Sequence, residues 1–113
     1  MESIHTVQEL ERKIQELEVS VSMLADNGRA FASAERDYKV ALSTEALRLR
    51  SEGMAVTLID KVIYGSEAVA EKRFQRDVAE ALYEANKEAI NSLKLQIRIL
   101  DGQIKQDWGT AKF

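Results

Sequence analysis

Apolar residues recur at alternating intervals of three and four along the first half of this 113-residue chain. The residues on this ladder are Val7, Leu10, Ile14, Leu17, Val21, Leu24, Gly28 and Phe31, with Tyr38, Leu42 and Leu49 further along. Such spacing places side chains on one stripe of an α-helix and is typical of one side of a coiled coil or helix bundle. The ladder therefore predicts a long partner helix before it predicts any chemistry.

The chain contains no proline, whereas about five or six would be usual at this length. Proline interrupts helices and marks loops, so its absence favours long helices with few connections. The chain also contains no cysteine, which excludes disulfides, thiol nucleophiles and thiolate metal sites. These features predict one all-α domain over residues 1–113.

Local signals predict a first helix over residues 6–51. Thr6 and Glu9 have the spacing of a capping box, and Gly53 suits the position just after a helix end. The pair Asn27–Gly28 allows a kink or break, but Gly28 lies on the apolar ladder. A near-continuous helix is the favoured interpretation, with a break at residues 27–28 as its alternative.

A second long helix is predicted over residues 66–108, after a short helix at residues 57–64. Thr57 and Asp60 repeat the capping pattern, Gly65 ends the short helix, and Ser66 caps the last one. The expected fold is a long antiparallel helical hairpin with a short connecting helix, assembled into an oligomeric bundle. The apolar phase expected for the last helix runs through Val78, Leu82, Ala85, Ala89, Leu93, Ile97, Leu100, Ile104 and Trp108.

The last helix carries a second apolar side, which predicts self-association. Leu95 and Ile99 lie roughly opposite the first stripe, with Gly102 on the same side. A helix that is apolar on two faces is buried on two faces, and a lone hairpin supplies one partner helix. The favoured assembly is a twofold dimer. Its predicted interface comprises Leu95, Ile99, Gly102 and Trp108. Trp108 is in phase with Ile104 and is expected to plug the bundle end, with a ligand-binding aromatic as the alternative. The alternative to self-association is that the middle helix or a bent first helix covers the second side.

Residues with catalytic or metal-binding potential are scarce. His5 is the only histidine and is expected to lie outside the first helix, so no His-based metal site or nucleophile–base pair can form. Glu80, Glu84 and Glu88 recur every four residues, but Lys87 favours a solvated face with ion pairs. We expect no enzyme, no metal and no cofactor, with ligand capture between subunits as a remote alternative.

Residues 53–80 support a second hypothesis, a helix-turn-helix-like nucleic-acid-binding or regulatory protein. Its contacts with phosphates or bases would be Lys72, Arg73 and Arg76. Glu67 and Glu71 oppose this hypothesis because they lie where the reading end of the helix would approach DNA. Nucleic acid is therefore a possible but disfavoured partner.

The distribution of charge predicts how the two ends of the chain are oriented, and hydropathy predicts where the protein is located. Residues 1–26 carry six acidic and two basic side chains, and residues 94–113 carry four basic and two acidic ones. These ends attract one another in a chain that folds back on itself, although each exposed pair contributes little. No run approaches the roughly 18 apolar residues of a membrane span, so we expect a cytoplasmic protein without membrane contact.

Three runs of the sequence are distinctive: residues 49–59 (LRSEGMAVTLI), 73–83 (RFQRDVAEALY) and 90–100 (INSLKLQIRIL). Together they resemble small uncharacterised proteins of phages and prophages of Gram-positive bacteria. The resemblance implies an accessory protein encoded in an early-gene region, near recombination and single-strand-binding functions, and it transfers no catalytic residue. We therefore expect a non-enzymatic protein that acts on a host or phage protein, either assisting recombination or replication or inhibiting a host function such as defence.

Overall fold

A computed structural model describes the backbone of residues 2–111 and the side chains of residues 4–109. All regular structure within this part of the chain is helical. The elements are α1 (Glu2–Ser51), α2 (Val56–Val62), a 3₁₀ turn (Ile63–Gly65) and α3 (Glu67–Ala111). The predicted all-α hairpin, with two long helices packed against each other and a short connecting helix, is confirmed.

The first helix begins earlier than its predicted capping box. Because α1 starts at Glu2, Thr6 lies inside the helix and is not its N-cap. His5, expected outside the helix, is an exposed residue within it. The predicted boundary was wrong because no proline or glycine between residues 2 and 6 stops the helix from starting sooner.

Helix α1 passes through Asn27 and Gly28 without a break. A β-carbon added at Gly28 would lie 3.3 Å from Cε1 of Tyr83, a residue of α3. The Tyr83 ring also packs near Phe31, with the ring centroids 6.1 Å apart. Gly28 therefore serves as a close-packing site for an aromatic ring, and the alternative of a break at this position is wrong.

Helix α1 ends in the glycine turn that the sequence predicted. Gly53 has a φ of +88°, a left-handed conformation that favours glycine. Its N–H donates to the carbonyl of Arg50 (3.0 Å), and the N–H of Met54 donates to the carbonyl of Leu49 (3.1 Å). This pair of bonds is a Schellman motif, which satisfies carbonyls that the helix leaves free.

The N-cap of α2 differs from the predicted one, whereas the N-cap of α3 is the predicted residue. Ala55 occupies the N-cap of α2 without a side-chain hydrogen bond, so the cap predicted at Thr57 is wrong and Thr57 lies within the helix. Ser66 caps α3 as predicted, because its Oγ accepts a hydrogen bond from the N–H of Val69 at 3.5 Å. The last turn of the predicted short helix is 3₁₀ rather than α.

The chain divides into two compact units. One comprises residues 26–83 and packs the connecting segment against the end of α1. Its core contains Tyr38, Leu49, Ile59, Ile63 and the fully buried Val69, with Leu42, Ala46 and Met54 packed beside them. The core therefore lies at the turn of the hairpin.

In the other unit, the early residues of α1 pair with the C-terminal half of α3. The side-chain amide of Asn86 donates to the backbone carbonyl of Ser20 at 2.9 Å. Further along, Leu10, Ile14 and Leu17 line a groove together with Ile97 and Asp101. Residue numbers fall on α1 as they rise on α3, so the pairing is antiparallel.

Candidate interaction surface on α3

One side of α3 faces α1 along its length. The buried and half-buried residues on this side, the seam, are Val69, Lys72, Arg76, Ala79, Tyr83, Asn86, Ile90, Leu93, Ile97, Leu100 and Ile104. They alternate at intervals of three and four, as in the facing stripe of a coiled coil. From Leu93 onward, the seam matches the predicted apolar phase.

The predicted phase of the first half of α3 is wrong. Val78 and Leu82 are 42% and 59% exposed, and Ala85 and Ala89 are also exposed. The seam runs one residue later because Tyr83 packs against Gly28 and Phe31, and Asn86 bonds to the Ser20 carbonyl. The aliphatic spacing of Val78 and Leu82 concealed this shift, because Tyr83 and Asn86 are placed by residues of α1 that are distant in the sequence.

The second apolar side of α3 remains uncovered. Leu95 and Ile99, predicted interface residues, are 55% and 53% exposed. The proposed alternative, in which the middle helix or a bent α1 covers this side, is wrong for the part of the chain that the structure describes. More than half of the surface of each residue therefore faces solvent within its own chain.

Leu95 and Ile99 belong to a longer row on α3, which we call the outer stripe. It consists of Phe74, Val78, Ala81, Ala85, Glu88, Ser92, Leu95, Ile99 and Gly102, all exposed. The intervals alternate between four and three, so the row follows a heptad spacing of its own. Glu88 is the single charged residue among these nine, which is unusual for a solvated helix face.

Charged residues border the outer stripe on one side. Moving along α3 in steps of seven, this border reads Asp77, Glu84, Asn91, Arg98 and Lys105. Residues seven apart lie on the same side of a helix. The border is therefore acidic before Asn91 and basic after it, and all five residues are exposed.

The other two predicted interface residues occupy different environments. Gly102 lies at the end of the outer stripe, and a β-carbon added there would meet nothing within 4 Å. Trp108 is 63% exposed. It lies six residues beyond Gly102 and therefore falls outside the three-and-four spacing of the outer stripe. No described residue of this chain covers Trp108, so the bundle-end plug does not form within a single chain.

The three basic residues considered for nucleic-acid contact have interactions within the protein. The guanidinium of Arg76 lies 4.5 Å from the centre of the Tyr38 ring and 2.8 Å from the Asp77 carboxylate. The hydrogen bond to Asp77 raises the pKa of Arg76. The guanidinium carbon of Arg73 lies 5.6 Å from the centre of the Tyr64 ring, and Lys72 Nζ lies 3.5 Å from the side-chain oxygen of Gln75. This region is therefore a mixed polar surface rather than a patch of uncommitted positive charge.

Glu45 is a buried carboxylate near the end of α1. Arg48 donates to it from Nε at 3.1 Å and also donates to Glu52 at 2.8 Å. The hydrogen bond from Arg48 holds the pKa of Glu45 below its ordinary value. This arrangement fits an ionised structural carboxylate, since a general acid would need the opposite shift.

Among the described residues, no three His, Cys, Asp or Glu side chains are grouped to hold a metal ion. Glu84, one of three glutamates at intervals of four, pairs with Lys87 at 2.8 Å. No helix in the described range combines the length and apolarity required to cross a bilayer.

Comparisons with protein-family models, curated proteins and solved structures find no match to this chain.

Proposed function

We propose that this protein is a non-enzymatic accessory protein of phage type that self-associates and acts by binding another protein. The target is a host or phage protein, and the outcome is either assistance to recombination or replication or inhibition of a host function such as defence. The observation that supports self-association is the exposure of Leu95 and Ile99 on an outer stripe that contains one charge.

Self-association is favoured because it removes apolar surface from water. Each Å² of apolar surface removed from water contributes about 25 cal/mol. Long contiguous apolar surfaces on soluble proteins mark sites of interaction. An outer stripe with few charges offers such a gain along one helix, so its burial against another helix is favourable.

The phage assignment and the cytoplasmic location rest on the resemblance of residues 49–59, 73–83 and 90–100. Protein–protein action is consistent with a chain in which the described residues hold no cluster suited to metal chemistry. The target can be identified by capture from phage-infected cells, comparing the native chain with a variant that cannot self-associate.

The central test is the double substitution Leu95→Glu and Ile99→Glu, followed by measurement of mass in solution over a concentration series. We expect the native protein to be assembled and this variant to be monomeric with unchanged helix content. Two carboxylates placed within an apolar contact lose hydration without gaining partners.

Val40→Glu with Leu47→Glu provides the matched control. These residues are also exposed aliphatic side chains, but they lie on α1. The control should assemble like the native protein. A native chain that stays monomeric at high micromolar concentration would refute self-association, and assembly of the α3 variant would show that the interface lies elsewhere.

The nucleic-acid alternative predicts different behaviour. It requires DNA binding that weakens with salt and with Arg73→Ala or Arg76→Ala. We expect no binding even at low salt, because Arg76 is already engaged by Asp77 and Tyr38. Salt-sensitive binding lost in either variant would favour the alternative.

A further inference from the structure

We infer that the partner of the outer stripe is a second copy of this chain, with the two α3 helices antiparallel about a twofold axis near residue 90. This inference rests on the self-association proposed above and adds the orientation and register of the second copy. It uses positions along α3, which is helical without interruption from Glu67 to Ala111.

The first argument is the match of side-chain sizes. A heptad stripe consists of two rows of residues, each with a spacing of seven. In an antiparallel pair, each row of one helix faces the other row of the second helix. Residue numbers rise along one helix and fall along the other, so the numbers of two facing residues add up to a constant. With a sum of 180, Ala85 faces Leu95 and Ala81 faces Ile99 of the second copy. Val78 likewise faces Gly102. In each of these three pairs a larger side chain meets a smaller one, which allows close packing without overlap.

The one charged residue of the outer stripe also fits this register. Glu88 faces Ser92 of the second copy, whose hydroxyl can donate a hydrogen bond to a carboxylate. Near the axis, Ala89 of each copy lies beside its counterpart, and its small side chain permits close approach. The arrangement thus provides a polar partner for Glu88 instead of burying it against an apolar side chain.

The second argument is charge complementarity along the border. In the same register, border residues whose numbers add up to 182 face each other. Glu84 therefore faces Arg98 of the second copy, and Asp77 faces its Lys105. Asn91 meets its own counterpart at the axis. In a parallel pair the border would instead face the other edge of the stripe, Leu82, Ala89, Gln96 and Gln103 of the second copy, and its charges would gain no opposite charge there. The border therefore favours the antiparallel orientation.

Both arguments point to a second copy rather than an unrelated protein. A twofold interface requires one surface to complement itself after rotation. The acidic half of the border and its basic half are arranged symmetrically about Asn91. Binding to a different protein would require no such symmetry within a single helix.

The experiment measures dimer dissociation constants for charge-reversal variants at low salt. Glu84→Arg alone and Arg98→Glu alone each create two like-charge contacts per dimer, one on each side of the axis. Each should raise the dissociation constant by at least about tenfold. The double variant, and an equimolar mixture of the two single variants, should recover native affinity because both restore opposite charges.

The matched controls are Glu80→Arg and Lys94→Glu. They make the same charge changes on exposed residues of α3, with the same spacing of fourteen, away from the outer stripe. These variants should dimerise like the native chain. If the native chain dimerises but the Glu84 and Arg98 variants are unaffected or not rescued, the register is wrong and self-association stands. A monomeric native chain would overturn both proposals.

Cross-linking provides an independent measure of orientation, because the chain has no native cysteine. Asn91→Cys should form a covalent dimer with a short thiol cross-linker, since the two positions meet at the axis. Lys105→Cys should not, because the antiparallel register separates its two copies by about 40 Å at 1.5 Å per residue. Cross-linking of the Lys105→Cys variant, or none of the Asn91→Cys variant, would overturn the inference.

Discussion

At the scale of single residues, Asn86 carries a polar contact between the two long helices. Its side-chain amide is buried and donates to the Ser20 carbonyl at 2.9 Å. A slip of one helix along the other would separate this donor from its acceptor, and an unpaired buried donor is costly. Asn86 therefore contributes to the register of α1 and α3, in the way that a buried asparagine specifies the register of a coiled coil.

Asn86→Asp should destabilise the protein by about 1–3 kcal/mol at neutral pH, because a carboxylate cannot donate to the Ser20 carbonyl. Urea unfolding measures this loss. Burial raises the pKa of the introduced carboxyl, so its penalty is present above that pKa and disappears below the unfolded value. The difference from the native protein should therefore narrow in acid, and equal stability at pH 7 would contradict the assigned role.

At the scale of elements, the end of α1 is determined by a single backbone conformation. Gly53 at φ +88° allows the Met54 N–H to reach the carbonyl of Leu49. Both Leu49 and Met54 also contact the core at the turn of the hairpin. The glycine thus directs the chain from α1 into the connecting segment and brings Met54 onto that core.

Gly53→Ala should destabilise the protein by about 1 kcal/mol, because a β-carbon disfavours the left-handed conformation. Gly65→Ala is the control: this glycine does not have a positive φ, and an added β-carbon would meet nothing within 4 Å. The control should be neutral or slightly stabilising. Equal thermal stability of the two variants would show that the turn tolerates a side chain at residue 53.

At the scale of the whole molecule, folding and self-association are expected to be linked. Among the described residues, Val69 is the largest side chain that is fully buried, and many apolar residues of α1 and α3 stay exposed. A second copy that binds the folded chain stabilises it by mass action. The stability of this protein is therefore expected to depend on its concentration.

The midpoint of thermal unfolding should rise with concentration across about a hundredfold range. Circular dichroism at several path lengths can measure this rise. The Leu95→Glu and Ile99→Glu variant should unfold at a lower temperature that does not depend on concentration. A midpoint independent of concentration for the native chain would indicate that the folded monomer is self-sufficient.

Local sequence alone determined that the chain forms two long helices and where they meet the turn. Gly53 and Ser66 act through backbone conformation and a nearby hydrogen bond, so their roles are readable from neighbouring residues. Leu93 and Ile97 lie on one side of the last helix and Leu95 and Ile99 on another, so their spacing likewise indicated a helix with two apolar sides. Each of these inferences depends on contacts within a few residues.

Contacts between the helices set which residues of α3 face α1 between Val69 and Ile90. Tyr83 is in the seam because Gly28 and Phe31 admit its ring, and Arg76 is there because Tyr38 offers an aromatic face. Such placements depend on residues more than thirty positions away in the chain, so periodicity in one helix cannot establish them. For the same reason, the sequence could not establish that Leu95 and Ile99 stay exposed within their own chain.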